Sequence, residues 1–156
     1  MLKKKLIPKV SLISNSEEET KLCAQRFAGQ LKAGDIVLLQ GDLGAGKTTF
    51  VKGLGSALKV SSKKIVSPTF VLMNYYKGKL PIYHFDLYRL GNPKELDSLD
   101  FDDYFYGEGI SLIEWPERLG EHKPKKYYLV EFQHKGEHQR QICISCPSKP
   151  QPRSSH

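Results

Sequence analysis

Hydrophobic and polar positions in the first part of the chain alternate between strand-like and helix-like spacing. Val10–Ile13 has the form of a short strand. The sequence Ser16–Glu19 is typical of a helix start, because the serine and the glutamate can each cap a free backbone amide. The next positions repeat on one face of a helix that should end before Gly34: Thr20, Ala24, Phe27 and Leu31. The pattern predicts a strand followed by an amphipathic helix.

A second strand and helix follow, separated by a glycine-rich stretch. Ile36–Leu39 is a continuous apolar run, which is typical of a strand buried on both faces, and Gly41 lies just beyond it. After the glycine-rich stretch, apolar side chains return at helical spacing: Phe50, Val51, Leu54, Ala57 and Leu58. The order predicted here is strand, loop and helix.

Further strand-like runs occupy the rest of the chain: Phe70–Met73, Ile82–Phe85, Ile110–Ile113, Tyr127–Phe132 and Gln141–Ile144. Asn92–Glu95 is a favourable helix start, with Asn as the cap and Pro at the first position, and this helix should run towards Asp103. Lys135–Glu137 contains a glycine and predicts a hairpin between the last two runs. Strands and helices mixed in this way indicate the α/β class, with one mixed β-sheet flanked by helices.

The length of 156 residues suits one domain. We expect that domain to span residues 1–147, and the polar, proline-containing segment 148–156 to form a disordered tail. No apolar run exceeds four residues, so we expect no membrane-spanning segment. The apolar stretch near the basic start ends at Pro8 and Lys9, so we expect no secretory signal and a cytoplasmic location.

The net charge of +7 is unevenly distributed. Residues 86–121 hold ten acidic side chains against Arg89, Lys94 and Arg118, which gives −7 there and leaves +14 on the other 120 residues. A basic body suits phosphate-rich partners such as a nucleotide or RNA. A solvated basic surface without a partner explains the same charge.

The glycine-rich stretch Gly41–Thr48 matches the phosphate-binding pattern G-x-x-x-x-G-K-[ST] at every fixed position. Glycines let backbone amides turn around a phosphate, and the helix that follows adds its positive N-terminal end. In this pattern Lys47 reaches the β- and γ-phosphates, and the Thr48 hydroxyl binds magnesium. The sequence therefore predicts a P-loop NTPase-like domain that binds ATP and Mg²⁺. The expected nucleotide contacts in this stretch are Asp42, Leu43, Gly44, Ala45, Gly46, Lys47, Thr48 and Thr49.

Two acidic residues stand where a phosphate-binding loop needs a carboxylate, at the end of a neighbouring strand. Asp86 follows the run Ile82–Phe85, and Glu114 follows the run Ile110–Ile113. Either residue alone is equally well explained as a structural acid in a loop. Their equivalent positions favour joint service at one magnesium site, and the sequence does not distinguish which of them contacts the metal directly.

Two weaker sequence features each have a structural and a functional interpretation. Ser67–Phe70 precedes a strand-like run and is most simply a turn, but the Thr69 hydroxyl is also a candidate sensor of the γ-phosphate. Trp115 is the only tryptophan and would by default pack in the core. Its neighbour Glu114 makes a position beside the nucleotide the alternative.

Four segments in register resemble the TsaE family of bacterial ATPases, formerly called YjeE: Gly41–Thr49, Ser67–Phe70, His84–Arg89 and Ile113–Pro116. The resemblance extends over about residues 10–145. It implies a role in making threonylcarbamoyladenosine in tRNA, as an ATPase that is weak alone and supports a complex of the TsaD transferase and its paralogue TsaB. We expect tRNA to be reached only through that complex.

The same resemblance implies roles for individual residues. Lys47 would bind phosphate, Thr48 would hold magnesium with help from Glu114 and Asp86, and Thr69 would belong to a switch-like segment. Trp115 would lie close to the nucleotide. The resemblance assigns no role to His84, Tyr88 or Arg89. The implied catalytic set is Lys47, Thr69, Asp86 and Glu114.

Two other classes of function remain open at this point. A small-molecule kinase would suit the size and the strand–loop–helix start, but Arg89 is the only arginine between Arg26 and Arg118, and such kinases clamp phosphates with arginines. A nucleotide-regulated RNA-binding module would suit the pI of about 9.3. Such a module should bind tRNA without partners and with a steep salt dependence.

Overall fold

The computed structural model describes residues 6–42, 44–66 and 72–147, excluding the side chains of residues 6–9 and 93. The strands are β1 (Leu6–Ser14), β2 (Ile36–Gln40), β3 (Met73–Tyr76), β4 (Ile82–Asp86), β5 (Ile110–Glu114), β6 (Tyr128–His134) and β7 (Arg140–Pro147). The helices are α1 (Glu17–Ala28), α2 (Lys47–Ala57) and α3 (Phe101–Phe105), with 3-10 turns at Ser62–Lys64, Pro93–Ser98 and Pro116–His122. In this part of the chain, no helix has both the length and the apolar character that a membrane crossing requires.

Within the described residues, seven strands form one mixed sheet in the order β1-β7-β6-β2-β5-β4-β3. The four central strands β6, β2, β5 and β4 run parallel to one another. The outer pairs are antiparallel: β6 with β7, β7 with β1, and β4 with β3. The predicted α/β class, with a mixed sheet flanked by helices, is confirmed.

Strand β2 lies at the centre of the sheet and separates two layers of core. Its side chains alternate between the layers, so that Val37 and Leu39 join one cluster while Ile36 and Leu38 join the other. Helices α1 and α2 cover the first layer through Phe27, Phe50 and Leu54, among others. Helix α3 and the turns Pro93–Ser98 and Pro116–His122 cover the second layer. This double coverage explains the unbroken apolar run of β2.

Helix α1 begins where the capping sequence predicts. The Ser16 hydroxyl accepts a hydrogen bond from the Glu19 amide at 3.1 Å, and the Glu19 carboxylate accepts one from the Asn15 amide at 2.7 Å. The helix ends at Ala28, earlier than the apolar spacing suggests, and Leu31 is buried beyond its end. The cap therefore fixes the point at which the chain leaves β1.

Helices α1 and α2 meet at a glycine. A Cβ atom on Gly53 would lie 2.6 Å from the Lys21 carbonyl oxygen and 2.9 Å from the Ala24 Cβ, so a larger residue would push the helices apart. The start of α2 is the residue that follows the glycine-rich loop. The contact with α1 therefore helps to hold that end of the loop in place.

Two local predictions need correction. Of the strand predicted at Phe70–Met73, Leu72 lies before β3, which spans Met73–Tyr76, and Phe70 and Val71 lie outside the described residues. The other residues outside the described part are 1–5, Leu43, 67–69, with Thr69 among them, and 148–156. The helix predicted from Asn92 towards Asp103 is broken into the turn Pro93–Ser98 and helix α3. Leu96 and Phe101 are both buried in one cluster, whereas a continuous helix would place them about 140° apart, so packing favours the break.

Candidate functional site

The glycine-rich loop connects the end of β2 to the start of α2. Gly44 and Gly46 have φ values of 77° and 105°, a region of backbone conformation that glycine enters without steric cost. Gly41 passes close to β6, where a Cβ atom would lie 3.0 Å from both Cβ and the carbonyl oxygen of Phe132. These glycines therefore meet conformational or packing requirements of the loop, and Lys47 follows as the first residue of α2.

Lys47 is a buried cation at the base of the loop, with 5% of its surface exposed. Its Nζ donates a hydrogen bond to the Gly41 carbonyl at 2.5 Å and lies 4.2 Å from the centre of the Trp115 ring. Burial lowers the pKa of the Lys47 ammonium, and the carboxylates of Glu114 and Asp86 oppose this effect. The ammonium is thus held by weak partners, a carbonyl and a ring face, within the field of two carboxylates.

The two carboxylates occupy matching positions on neighbouring parallel strands. Asp86 is the last residue of β4, Glu114 is the last residue of β5, and the sheet pairs them directly. Burial raises the pKa of Asp86, and the like charge of Glu114 raises it further, while the Tyr88 amide, donating to Asp86 Oδ1 at 3.0 Å, lowers it. Placing two acids side by side in a half-buried site is costly for the folded protein unless a cation joins them.

Glu114 is held from the core side by a histidine. The distance from Glu114 Oε2 to His84 Nε2 is 2.6 Å, and His84 is fully buried on β4. Sequence reasoning assigned no role to His84. A usable signal was nevertheless present, because His84 lies two residues before Asp86 and successive residues of a strand alternate between its faces.

Trp115 has a strained backbone next to Glu114. Its φ and ψ are 60° and 52°, a left-handed conformation that is rare for a bulky residue. Its ring contacts the Tyr88 ring at 5.0 Å between centres, and its face is turned towards the Lys47 ammonium. The side chain is partly exposed rather than packed wholly in the core. The tryptophan therefore packs against the second core layer and also faces the Lys47 ammonium.

An open cleft of about 870 Å³, which we call the glycine-loop cleft, joins these groups. The site residues predicted from the sequence that line it are Gly44, Gly46, Lys47, Thr48, Thr49, Asp86, Glu114 and Trp115. Asp42 and Ala45 do not line it: Ala45 is buried, and Asp42 borders a second cleft of about 690 Å³ that shares Trp115. Leu43 and Thr69 lie outside the described residues.

The far wall of the cleft consists of residues that the sequence did not suggest. Asn15–Glu17 contribute from the junction of β1 and α1, and Glu137, His138 and Arg140 contribute from the β6–β7 hairpin. Arg140 reaches across to the loop and donates to the Gly44 carbonyl at 3.2 Å. The sequence signal for Arg140 was a basic side chain at the first position of a strand that follows a hairpin. Only the sheet order shows that this end of the strand faces the loop.

The oxygen-bearing side chains of the cleft fit a hard divalent cation. Thr48 offers a hydroxyl and Asp86 and Glu114 offer carboxylates, all lining the same space. The described part of the chain has no group of three or more His, Cys, Asp or Glu side chains that could enclose a metal by themselves. Magnesium is usually bound by one or two carboxylates together with phosphate oxygens, so this donor set fits magnesium bound with a phosphate ligand.

Comparison with known proteins supports the resemblance noted from the motifs. The family model of the threonylcarbamoyl adenosine biosynthesis protein TsaE matches residues 14–142. The chain belongs to the TsaE family. This TsaE-family chain is 40% identical to the TsaE protein of Bacillus subtilis over 129 residues, which cover 82% of the chain and 80% of the relative. It is 44% identical to the TsaE protein of a Nostoc species over 145 residues, 89% of the chain and 88% of the relative.

The fold is also similar to a solved structure. The crystal structure of Bacillus subtilis YdiB superposes with a TM-score of 0.75 at 34% sequence identity, covering 91% of this chain and 88% of that one. The matched residues 14–142 include the glycine-rich loop, Asp86, Glu114 and Trp115. The TsaE family takes part in the biosynthesis of threonylcarbamoyladenosine in tRNA.

Proposed function

We propose that this TsaE-family chain binds ATP with magnesium in the glycine-loop cleft and hydrolyses it slowly. In this proposal, hydrolysis supports threonylcarbamoyladenosine formation in tRNA through a complex with the TsaD transferase and TsaB. The observation that carries the proposal is the position of the buried Lys47 ammonium, which shares the cleft with the paired carboxylates of Asp86 and Glu114.

The phosphate groups would lie against the loop and the first turn of α2. Backbone amides at a helix start carry positive partial charge and favour an anion. Lys47 would exchange the Gly41 carbonyl for a phosphate oxygen, a stronger partner for a buried ammonium than a neutral carbonyl. Burial makes this exchange more favourable, because water screens the new ion pair poorly.

Magnesium would be held by the Thr48 hydroxyl together with Glu114 and Asp86. When bound, the ion would neutralise charge on the phosphate oxygens. Burial, and to a smaller extent the like charge of Glu114, raise the pKa of Asp86, and a bound divalent cation would offset both effects. Glu114 and Lys47 would then hold the phosphate end of the nucleotide between two fixed points of the fold.

The nucleoside would occupy the rest of the cleft, between Asn15–Glu17 and the β6–β7 hairpin. Trp115 and Tyr88 would offer ring surfaces beside it. Thr69 lies outside the described residues, and its assignment to a γ-phosphate switch rests on the family resemblance alone.

Slow ATP hydrolysis by the isolated chain follows from the small number of cationic side chains at the phosphate end of the cleft. Within the described residues, the arginines that line the cleft are Arg89, which is exposed, and Arg140, which hydrogen-bonds the loop backbone. Phosphoryl transfer depends strongly on fixed positive charge around the transferring group. We therefore propose that TsaD and TsaB complete the site, and that tRNA is reached only through their complex.

The test is ATP hydrolysis by the wild type, Lys47→Ala and Lys52→Ala, each with and without a purified TsaD–TsaB pair from the same organism. Lys52 is a matched control because it lies on α2 outside the cleft. We expect slow hydrolysis by the wild type and by Lys52→Ala, a rise when the pair is added, and loss in Lys47→Ala.

Two results would contradict different parts of the proposal. Equal rates for Lys47→Ala and the wild type would remove the assigned site. Hydrolysis that is lost in Lys47→Ala but does not respond to the pair would leave the site and remove the partner role. A small-molecule kinase would instead show stoichiometric transfer of phosphate to a metabolite, and an RNA-binding module would bind tRNA alone.

A further inference from the structure

A chain of polar contacts runs from Glu114 into the core of the sheet. His84 Nε2 lies 2.6 Å from Glu114 Oε2, and His84 Nδ1 lies 3.3 Å from the Tyr76 hydroxyl. The Tyr76 hydroxyl accepts from the Val66 amide at 3.4 Å, and its single proton is shared between the Val66 carbonyl, at 3.0 Å, and His84 Nδ1. Three side chains on adjacent strands β3, β4 and β5 are thereby connected to one fixed point of backbone.

These side chains are buried to a degree that makes their hydrogen bonds obligatory. Exposure is 0% for His84, 3% for Glu114 and 7% for Tyr76. A buried polar group without a partner costs roughly 1–3 kcal/mol, so each group depends on its neighbour. Among the described residues, every buried polar side-chain atom has a hydrogen-bond partner. The series of contacts from Glu114 through His84 to Tyr76 therefore leaves none of these buried polar side chains without a partner.

The direction of the histidine contact follows from the charge of Glu114. The oxygens of a carboxylate that binds magnesium accept hydrogen bonds, so in the proposed complex His84 Nε2 would donate to Glu114 Oε2. A hydrogen bond to an ionised acceptor is among the stronger ones in proteins. His84 thus occupies Oε2 and limits the orientations in which the carboxylate can face the cleft.

Strand geometry places this support directly behind the site. His84 and Asp86 lie two residues apart on β4, and Asp86 pairs with Glu114 across the sheet. Side chains two apart on a strand share a face, so the histidine and both carboxylates lie in one row. Ligating carboxylates in metalloproteins are commonly held by such hydrogen bonds from behind.

We propose that His84, fixed by Tyr76, is a positioning residue that orients the Glu114 carboxylate for magnesium-bound ATP. This role rests on the proposed ATP site. It differs from the simpler explanation, in which the contacts only satisfy a buried histidine, because it requires an effect on magnesium-dependent binding beyond any effect on folding.

The experiment is calorimetric titration of ATP with magnesium and with EDTA, for the wild type, His84→Leu, His84→Gln and Tyr76→Phe. The quantity compared is the ratio of the two affinities. His84→Leu should lower that ratio by about tenfold or more, which is the usual cost of losing such a supporting contact. Affinity in EDTA should change by no more than about twofold, because the loop contacts are intact.

The conservative variants separate positioning from packing. The glutamine side-chain amide can donate near the place of Nε2, so His84→Gln should recover most of the ratio. Tyr76→Phe removes only the hydroxyl and should lower the ratio by about threefold, a fraction of the full loss. Melting temperatures of all variants establish that the compared proteins are folded.

His122→Leu is the matched control, because His122 Nε2 bonds Asp97 at 2.9 Å in another histidine–carboxylate pair outside the cleft. It should leave the ratio unchanged. If His84→Leu has the same ratio of ATP affinities with magnesium and with EDTA as the wild type, the positioning role is overturned. If His84→Leu does not fold, the same result in Tyr76→Phe overturns it. A wild type without any magnesium effect would overturn the proposed function together with it.

Discussion

The strands β2, β4 and β5 and the neighbouring pair β6–β7 belong to one sheet but distribute their polar residues differently. In β2, β4 and β5 almost every position is buried or half-buried, and the carboxylates stand at the strand ends. In β6, the exposed residues Glu131 and Gln133 flank the buried Phe132, and in β7 the half-buried Cys143 lies between the buried Ile142 and Ile144. Parallel strands end at the same edge, so they collect their charged groups in one place.

This difference shows where in the sheet charged side chains are held at a cost to the stability of the folded protein. Lys47 and Asp86, whose pKa values are shifted against their charged forms mainly by burial, both lie at the carboxyl edge of the parallel strands. Charged side chains near the β6–β7 hairpin, such as Glu131 and Lys135, are exposed to water. The buried ammonium and the paired carboxylates thus lie beside β2, β4 and β5, whereas the β6–β7 hairpin contributes Glu137, His138 and Arg140 to the lining of the cleft.

The largest expected effect comes from two leucines that the sheet pairs side by side. Leu38 on β2 is 1% exposed, whereas its register partner Leu129 on β6 is half-buried. Leu38→Ala should lower the free energy of unfolding by about 3 kcal/mol, and Leu129→Ala by about 1 kcal/mol. Urea unfolding measures both values, and equal losses would contradict a larger contribution to stability from β2 than from β6.

The next effect concerns two cations that line the cleft, one at the start of α2 and one at the start of β7. Lys47→Met removes a buried charged partner of phosphate, worth about 2–3 kcal/mol, so ATP should bind about 100-fold more weakly. Arg140→Met removes a partly exposed charge on the antiparallel pair and should weaken binding by less than about tenfold. Equilibrium dialysis with labelled ATP gives both constants. A reversed order would assign the phosphate end to the hairpin.

A smaller effect tests the repulsion between the paired carboxylates. Burial and Glu114 raise the pKa of Asp86 above 3.8, so the folded state is destabilised as pH rises through that raised pKa and Asp86 ionises. Without nucleotide and magnesium, Asp86→Asn should therefore raise Tm at pH 7 by about 2 °C, with the gain shrinking as pH is lowered towards 4. Asparagine can still accept from the Tyr88 amide.

Glu131→Gln is the control for that measurement, because Glu131 is an exposed acid on β6. Its Tm should stay within about 1 °C of the wild type at both pH values, as is usual for surface substitutions. A Tm of Asp86→Asn below that of the wild type at pH 7 would contradict a destabilising effect of the Asp86 charge. An increase in Tm that is equally large at low pH would contradict it as well.

The parallel half was easier to predict from the sequence than the antiparallel half. Ile36–Leu39 is a continuous apolar run because it is buried on both faces. The acids that follow the strand-like runs Ile82–Phe85 and Ile110–Ile113 predicted that Asp86 and Glu114 stand at strand ends. The glycine-rich loop was recognisable because its conformation requires glycine at Gly44 and Gly46. These features depend on residues close together in sequence.

The remaining features depend on contacts between distant segments. The place of Arg140 beside Gly44 follows from β7 pairing with β6, which in turn lies next to β2. The contact of His84 with Glu114 joins residues 30 positions apart. The break after Ser98 reflects the burial of Leu96 and Phe101 in one cluster, which local helix signals do not report.

The most direct test of the central claim is ATP binding followed by the fluorescence of Trp115, the single tryptophan, whose ring contacts the Lys47 ammonium. Lys47 would move from the ring towards a phosphate, so the account predicts a saturable signal with one equivalent of ATP. That signal should be strengthened by magnesium and abolished in Lys47→Ala. Absence of saturable binding at millimolar ATP, or an unchanged signal in Lys47→Ala, would contradict it.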